Sequence, residues 1–518
     1  MSASKHALAL AMIAALPALA RADAPLSAID WLSKSVAEPV RPVALPMPDR
    51  PRHVPPAAIA VTPLDRPTLD GVGLLSPAKT GLPAALWGPT TLPEAIRLVK
   101  TERIDLLPEL QTLLRTLLLA ETEPPAAGGL QTGAGDALFL ARIDRLLDLG
   151  ALDPALAMLE LPPTLDPESF RRRFDAALLL GQEDDACKAM RDNPQIAPSF
   201  PARIFCLARG GDWTAAALSL RTGEALGFIG PDDAELLARF LDPDLAEGQP
   251  DLPYPDNPSP LTFRMMEAIG QPMVTTELPV AFAQADLRSN SGWKTRIEAA
   301  ERLAKTGAIE ANALLGLYTE RAPAASGGVW DRVAAIRDLD TAISSGDPTA
   351  AAIALPVAWA QMAAVELEVP LSEIYGERAA ALGLDGDAGA VAWRMGLLSS
   401  AFETVARAHA ADPAGSVRDR LLTGIAQGDA TAAETGNELE AAIRAAFTGP
   451  TEPDAASARL LAEGRVGEAI LRAIDSITSG ALSNTASVTD GLLTLRKAGL
   501  DRIARRTALE LLLLERRG

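Results

Sequence analysis

LLDLGALDPALAML (residues 146–159), LLLGQEDDACKAM (178–190) and CLARGGDWTAAAL (206–218) are three copies of one pattern. Each has an apolar helix end, a glycine, one to three polar or small residues, and then an Ala/Leu-rich run. A glycine in left-handed backbone closes a helix without a Cβ clash and lets the next helix fold back antiparallel. Gly150, Gly181 and Gly211 are 31 and 30 residues apart, the length of one helical hairpin. The pattern returns at Gly307, Gly464 and Gly499.

Outward from these hairpins the texture stays helical. Thr91 and Glu94 have capping-box spacing with Pro93 in the first turn. Leu110, Leu113, Leu114, Leu117 and Leu118 follow the template of a helix with one buried face. Period-2 alternation is missing. The fold class read from this is all-α, antiparallel hairpins stacked as an α-solenoid or repeat-like array. Leu241 to Leu261 holds six prolines and divides it into lobes at 91–242 and 261–518, joined by a connector at 243–260.

The N-terminal side differs. Thirteen prolines fall between Pro39 and Pro93, which no helix or central strand can run through, so 39–90 reads as an extended linker. Before it, residues 25–38 carry Leu26, Ile29, Leu32 and Val36 at helical spacing with Trp31 beside them, a short amphipathic docking segment. It either captures a separate protein or folds back on the body. Residues 1–24 read as a signal peptide: Lys5 and His6, an uncharged stretch from Ala7 to Ala20, then small-x-small sites ending at Ala20 and Ala24. The expected address is the bacterial periplasm, with no transmembrane segment in the mature chain. The longest later uncharged run, Ala350 to Val365, is too short to span a bilayer.

The chain has 518 residues, 48 basic and 67 acidic side chains, and a net charge of −19, which excludes a phosphate-reading nucleic-acid binder. Seven bases nevertheless cluster between Leu495 and Gly518. Arg502, Arg505 and Arg506 are expected to meet an acidic partner or the protein's own acidic surface. Cys187 and Cys206 are the only cysteines, and in an oxidising compartment an even count reads as one disulfide across adjacent antiparallel helices.

The Gly211-Asp212-Trp213 turn and the Ala-rich helix after it resemble tetratricopeptide-like helical repeats, chiefly over residues 135–225. That resemblance implies architecture and a protein-binding surface, with no particular ligand. Glu168-Ser169-Phe170 resembles the catalytic Glu-Ser of soluble lytic transglycosylases, some of which carry periplasmic solenoids. It implies a peptidoglycan-acting enzyme as the alternative, although the family's downstream Gly-Leu-Met-Gln element is absent. Gly73 to Thr80 lacks the second glycine of a phosphate loop, and Asp385-Gly386-Asp387 lacks the later ligands of a calcium loop. His53 and His409 have no neighbours at metal spacing. No catalytic residue, metal, cofactor or small-molecule ligand is indicated. The expected function is an exported scaffold or adaptor that binds other envelope proteins.

Overall fold

A computed structural model describes residues 68–126, 136–163, 166–409, 416–449 and 452–514. The leader, the docking segment 25–38 and the linker up to residue 67 lie outside the described residues. Among the described residues the chain is helical, and extended pairing is limited to two isolated bridges, Leu75–Ala120 and Thr91–Ala126.

The glycine pattern is realised at all six positions. Gly150, Gly181, Gly211, Gly307, Gly464 and Gly499 have φ between 64° and 85°. At each, the following amide reaches back to a carbonyl five residues earlier, from Ala151 to Leu146 at 2.9 Å and from Asp212 to Leu207 at 3.0 Å, for example. These bonds satisfy carbonyls that a helix end would otherwise leave open. Asp212 then caps the next helix by accepting from the Ala215 amide at 3.0 Å.

The helices bury their apolar faces in successive cores. One holds the six helices from Pro167–Leu180 to Pro260–Ala268, through residues such as Phe174, Phe205, Leu237 and Met265. The next holds the six from Trp293–Lys305 to Gly386–Leu398. The third and largest joins the two ends of the array. In it, helices Leu92–Thr101 and Pro108–Leu119 pack against Val466–Ser483, and Pro108–Leu119 also against Asp501–Leu513, with Ala137–Asp148 and Thr485–Lys497 in the same core.

Two expected boundaries move. The connector at 243–260 does not separate the cores: Leu241, Leu252 and Leu261 belong to one core with Phe205, and Gln271 holds the Leu252 amide at 3.0 Å. Six prolines break helix there, but the apolar residues between them still find the neighbouring faces. The expected linker, 39–90, also differs over its described part. Residues 68–90 lie on the body, with Leu86 fully buried and Trp87 nearly so. The stretch after Asp70 runs beside residues 119–122, with Leu74 N–H to Leu119 O at 2.8 Å and Thr122 N–H to Gly71 O at 2.9 Å. A Cβ at Gly71 would sit 2.3 Å from Thr122 O, so glycine is required for that approach. Buried Arg142 ties both segments by donating to Val72 O at 2.8 Å and Ala120 O at 2.7 Å.

Cys187 on helix Glu183–Asp192 and Cys206 on helix Phe200–Arg209 form the disulfide, with Cα atoms 5.0 Å apart and both residues buried. It closes a loop of 19 residues, which the chain-entropy model values at about 3 kcal/mol. Cys187→Ser is therefore expected to lower unfolding free energy by ~3 kcal/mol in urea titration under oxidising conditions, and to make stability indifferent to dithiothreitol. Dithiothreitol sensitivity that persists in the variant would contradict the assignment.

Candidate functional site

A two-chambered cleft forms where three distant parts of the chain meet. The larger chamber, about 600 Å³, lies between the loop 103–107, the C-terminal end of helix Trp293–Lys305 and helices Val466–Ser483 and Asp501–Leu513. Its apolar wall includes Ile104, Leu107, Val280, Leu439 and Leu511, all half-buried. The smaller chamber, about 420 Å³, lies between helix Pro108–Leu119, the turn at Gly307 and the start of helix Glu368–Ala381. Pro108, Gln111, Lys305 and Glu366 line both, so the chambers adjoin.

Most charges on the walls are paired. Lys305 Nζ lies 2.8 Å from Glu366. Arg506 bridges Glu109 at 3.0 Å and Glu373 at 2.7 Å. Arg302 donates to the carbonyls of Thr275 and Leu278, both at 2.7 Å, and its desolvation lowers its pKa. No His, Cys or Ser lines either chamber among the described residues. The walls offer apolar contact and fixed charge to a chain segment.

The basic residues near the C-terminus resolve in favour of the protein's own acids. Arg505 meets Glu403 at 2.7 Å and Asp501 at 2.9 Å, Arg502 lies 3.4 Å from Glu403, and Arg506 spans Glu109 and Glu373. Arg502 and Arg505 also sit over the Phe402 ring. Of the two partners expected for Arg502, Arg505 and Arg506, the protein's own acidic surface is the one in contact with them here. Leu26, Ile29, Trp31, Leu32 and Val36 lie outside the described residues.

Glu168 stands in the first turn of helix Pro167–Leu180, largely exposed, with Arg172 at 3.1 Å. Asp166 caps this turn through the amides of Glu168 and Ser169 and accepts the Ser169 hydroxyl at 2.7 Å. Glu168 lines neither chamber. Asp385 and Asp387 belong to the start of helix Gly386–Leu398, and His409 stacks on Trp393 with ring centroids 3.9 Å apart.

The wall residues had little sequence signal, since each chamber combines segments hundreds of positions apart. Comparison with protein-family models, curated proteins and solved structures finds no match to the chain.

Beside the larger chamber, the Glu102 carboxyl is buried and its Oε1 makes no hydrogen bond. Burial, with the nearby Asp475 charge, pushes its pKa up to about 8. Burial likewise raises Asp175 to about 7. The folded state therefore holds protons that the unfolded chain releases above the ordinary carboxylate range. Such protons favour the folded state fully at acid pH, and this contribution is lost as pH rises toward about 8. Glu102→Gln is expected to be more stable than wild type at pH 8 and to flatten the decline in urea midpoint from pH 5 to pH 8. An unchanged slope would contradict this account.

Proposed function

We propose that the protein is a non-catalytic binding scaffold or adaptor of the bacterial envelope, whose central cleft receives a segment of another envelope protein. The observation that carries this reading is the cleft itself: a chamber of about 600 Å³ with an apolar wall and a charged rim, next to a smaller charged one, where three chain regions converge. Concave surfaces on helical arrays are suited to extended partners. The pairing of Lys305, Glu366, Arg506, Glu109 and Glu373 fixes these charges in the wall, which suits a surface that binds a chain segment. The leader read in residues 1–24 and the Cys187–Cys206 disulfide both agree with an oxidising compartment. No described helix is long and apolar enough to cross a membrane.

A photo-cross-linking amino acid placed at Leu439 or Thr478, on the cleft wall, tests the reading in producing cells. An envelope protein joined at these positions, and not from exposed Arg459 on helix Ala455–Ala462, is the expected result. Cleft positions that give no adduct, or purified protein that releases fragments from peptidoglycan, would overturn it.

A further inference from the structure

Helix Pro348–Ala363 is apolar on every side. From Pro348 to Val365 the chain has no charged residue, and a helix that is apolar all round belongs inside a core or under a cover. Its inner seam, Ala351, Leu355, Ala358 and Met362, is buried in the core it shares with helix Gly386–Leu398. Its outer seam is open. Ile353 and Val357 are 72% and 52% exposed, and Ala360 and Ala364 are exposed beside them. Ala350, Ile353, Val357, Ala360 and Ala364 follow at alternating steps of three and four residues, the spacing by which one helix seats its side chains on another. The helix is too short to cross a bilayer and has no Lys or Arg to hold it at an anionic lipid surface.

One segment of the chain itself has the matching form. Leu26, Ile29, Leu32 and Val36 make an apolar stripe at helical spacing, and the charges between them, Asp30 and Lys34, cancel. As a helix, Leu26 to Val36 would span about 15 Å, against about 21 Å from Ala350 to Ala364. A helix that short is marginal in water and needs a surface to order on. The described chain begins at Thr68, where the Leu69 amide donates to Asp136 at 2.6 Å, just before helix Ala137–Asp148. From there, successive packed neighbours are helices Pro108–Leu119, Asp501–Leu513, Gly386–Leu398 and Pro348–Ala363. Four steps of about 8–10 Å each amount to roughly 40 Å. The tether, residues 39–67, would span about 30 Å as a flexible coil and about 90 Å fully extended. Its nine prolines stiffen it between those limits, so the outer seam is within reach.

We propose that residues 25–38 fold back and pack as a short helix along the outer seam of helix Pro348–Ala363. This chooses between the two fates that the sequence leaves open for the segment, and it is independent of the cleft reading. Two other arrangements suit the residues less. A second copy would bring another chain of net charge −19 to the same face, whereas the segment brings no net charge between Leu26 and Val36. The larger chamber has an apolar wall, but its rim carries Arg103, Asp105, Arg302, Lys305 and Glu366, and the outer seam carries no charge. The tether also keeps the segment at high local concentration, so a contact too small to hold a free partner suffices.

The test uses the full exported chain with a photo-cross-linking amino acid at Ile353 or at Ala360, and adducts mapped by mass spectrometry. The expected adducts lie within one chain, join these positions to residues 25–38, and form with a yield unchanged by dilution. Ile29→Asp combined with Leu32→Asp is expected to lower that yield at least about tenfold, since two buried aliphatic contacts are lost. Both substitutions fall outside the described body, which keeps its fold. Adducts of twice the chain mass would put a second copy on the face, and adducts with another protein would make it a partner's site. Either result overturns the proposal. So does an adduct that survives both substitutions at full yield, or the lack of any adduct to residues 25–38 from both positions. Cross-links from Leu439 and Thr478 bear on the cleft alone, so the two readings can fail separately.

Discussion

The Glu510 carboxylate, 2% exposed, accepts the Glu109 backbone N–H at 3.1 Å and 3.0 Å through its two oxygens, across 401 residues of chain. Pro108 opens helix Pro108–Leu119 and has no N–H, so the Glu109 amide is the first donor that the helix must satisfy. Buried and unmet, it would cost about 1–3 kcal/mol. The helix-start partial positive charge and the carboxylate attract each other in a site with little water. The same helix, Asp501–Leu513, adds Arg506, which reaches the Glu109 side chain and Glu373 together. One turn of helix thus holds the early, middle and late parts of the array in register.

That register supports the rest of the closure. The Gly467 amide donates to Leu86 O at 2.8 Å, and Gly467 has no Cβ to hold Leu86 and Trp87 away. Arg465 and Thr90 share Glu468 nearby. The cleft follows from the same arrangement, because the loop 103–107, Lys305 and Leu511 face a common space only when the ends of the array meet. Here fold and candidate site are one problem: the interactions that close the array also shape the chambers.

The local parts of this structure could be read from the chain. The left-handed glycines, the hairpin lengths, the Cys187–Cys206 bridge and the all-helical class depend on residues no farther apart than about one helical hairpin. The closure could not be read, because the i, i+3, i+4 row Arg502, Arg505 and Arg506 looks the same whether it meets water, a partner or Glu109, Glu373 and Glu403. The proline count hid a usable signal: Leu82, Leu86 and Trp87 form an apolar cluster inside the supposed linker, and that cluster is buried.

The central claim is that the two ends of the array form one cooperative core closed by Glu510. Native-state amide hydrogen exchange on wild type and Glu510→Ala tests it most directly, because it reads the opening of each helix separately. Protection in helix Pro108–Leu119 and in helix Asp501–Leu513 should fall together in the variant, while the disulfide-linked helices Glu183–Asp192 and Phe200–Arg209 keep theirs. Loss confined to helix Asp501–Leu513, with helix Pro108–Leu119 still protected, would contradict the account.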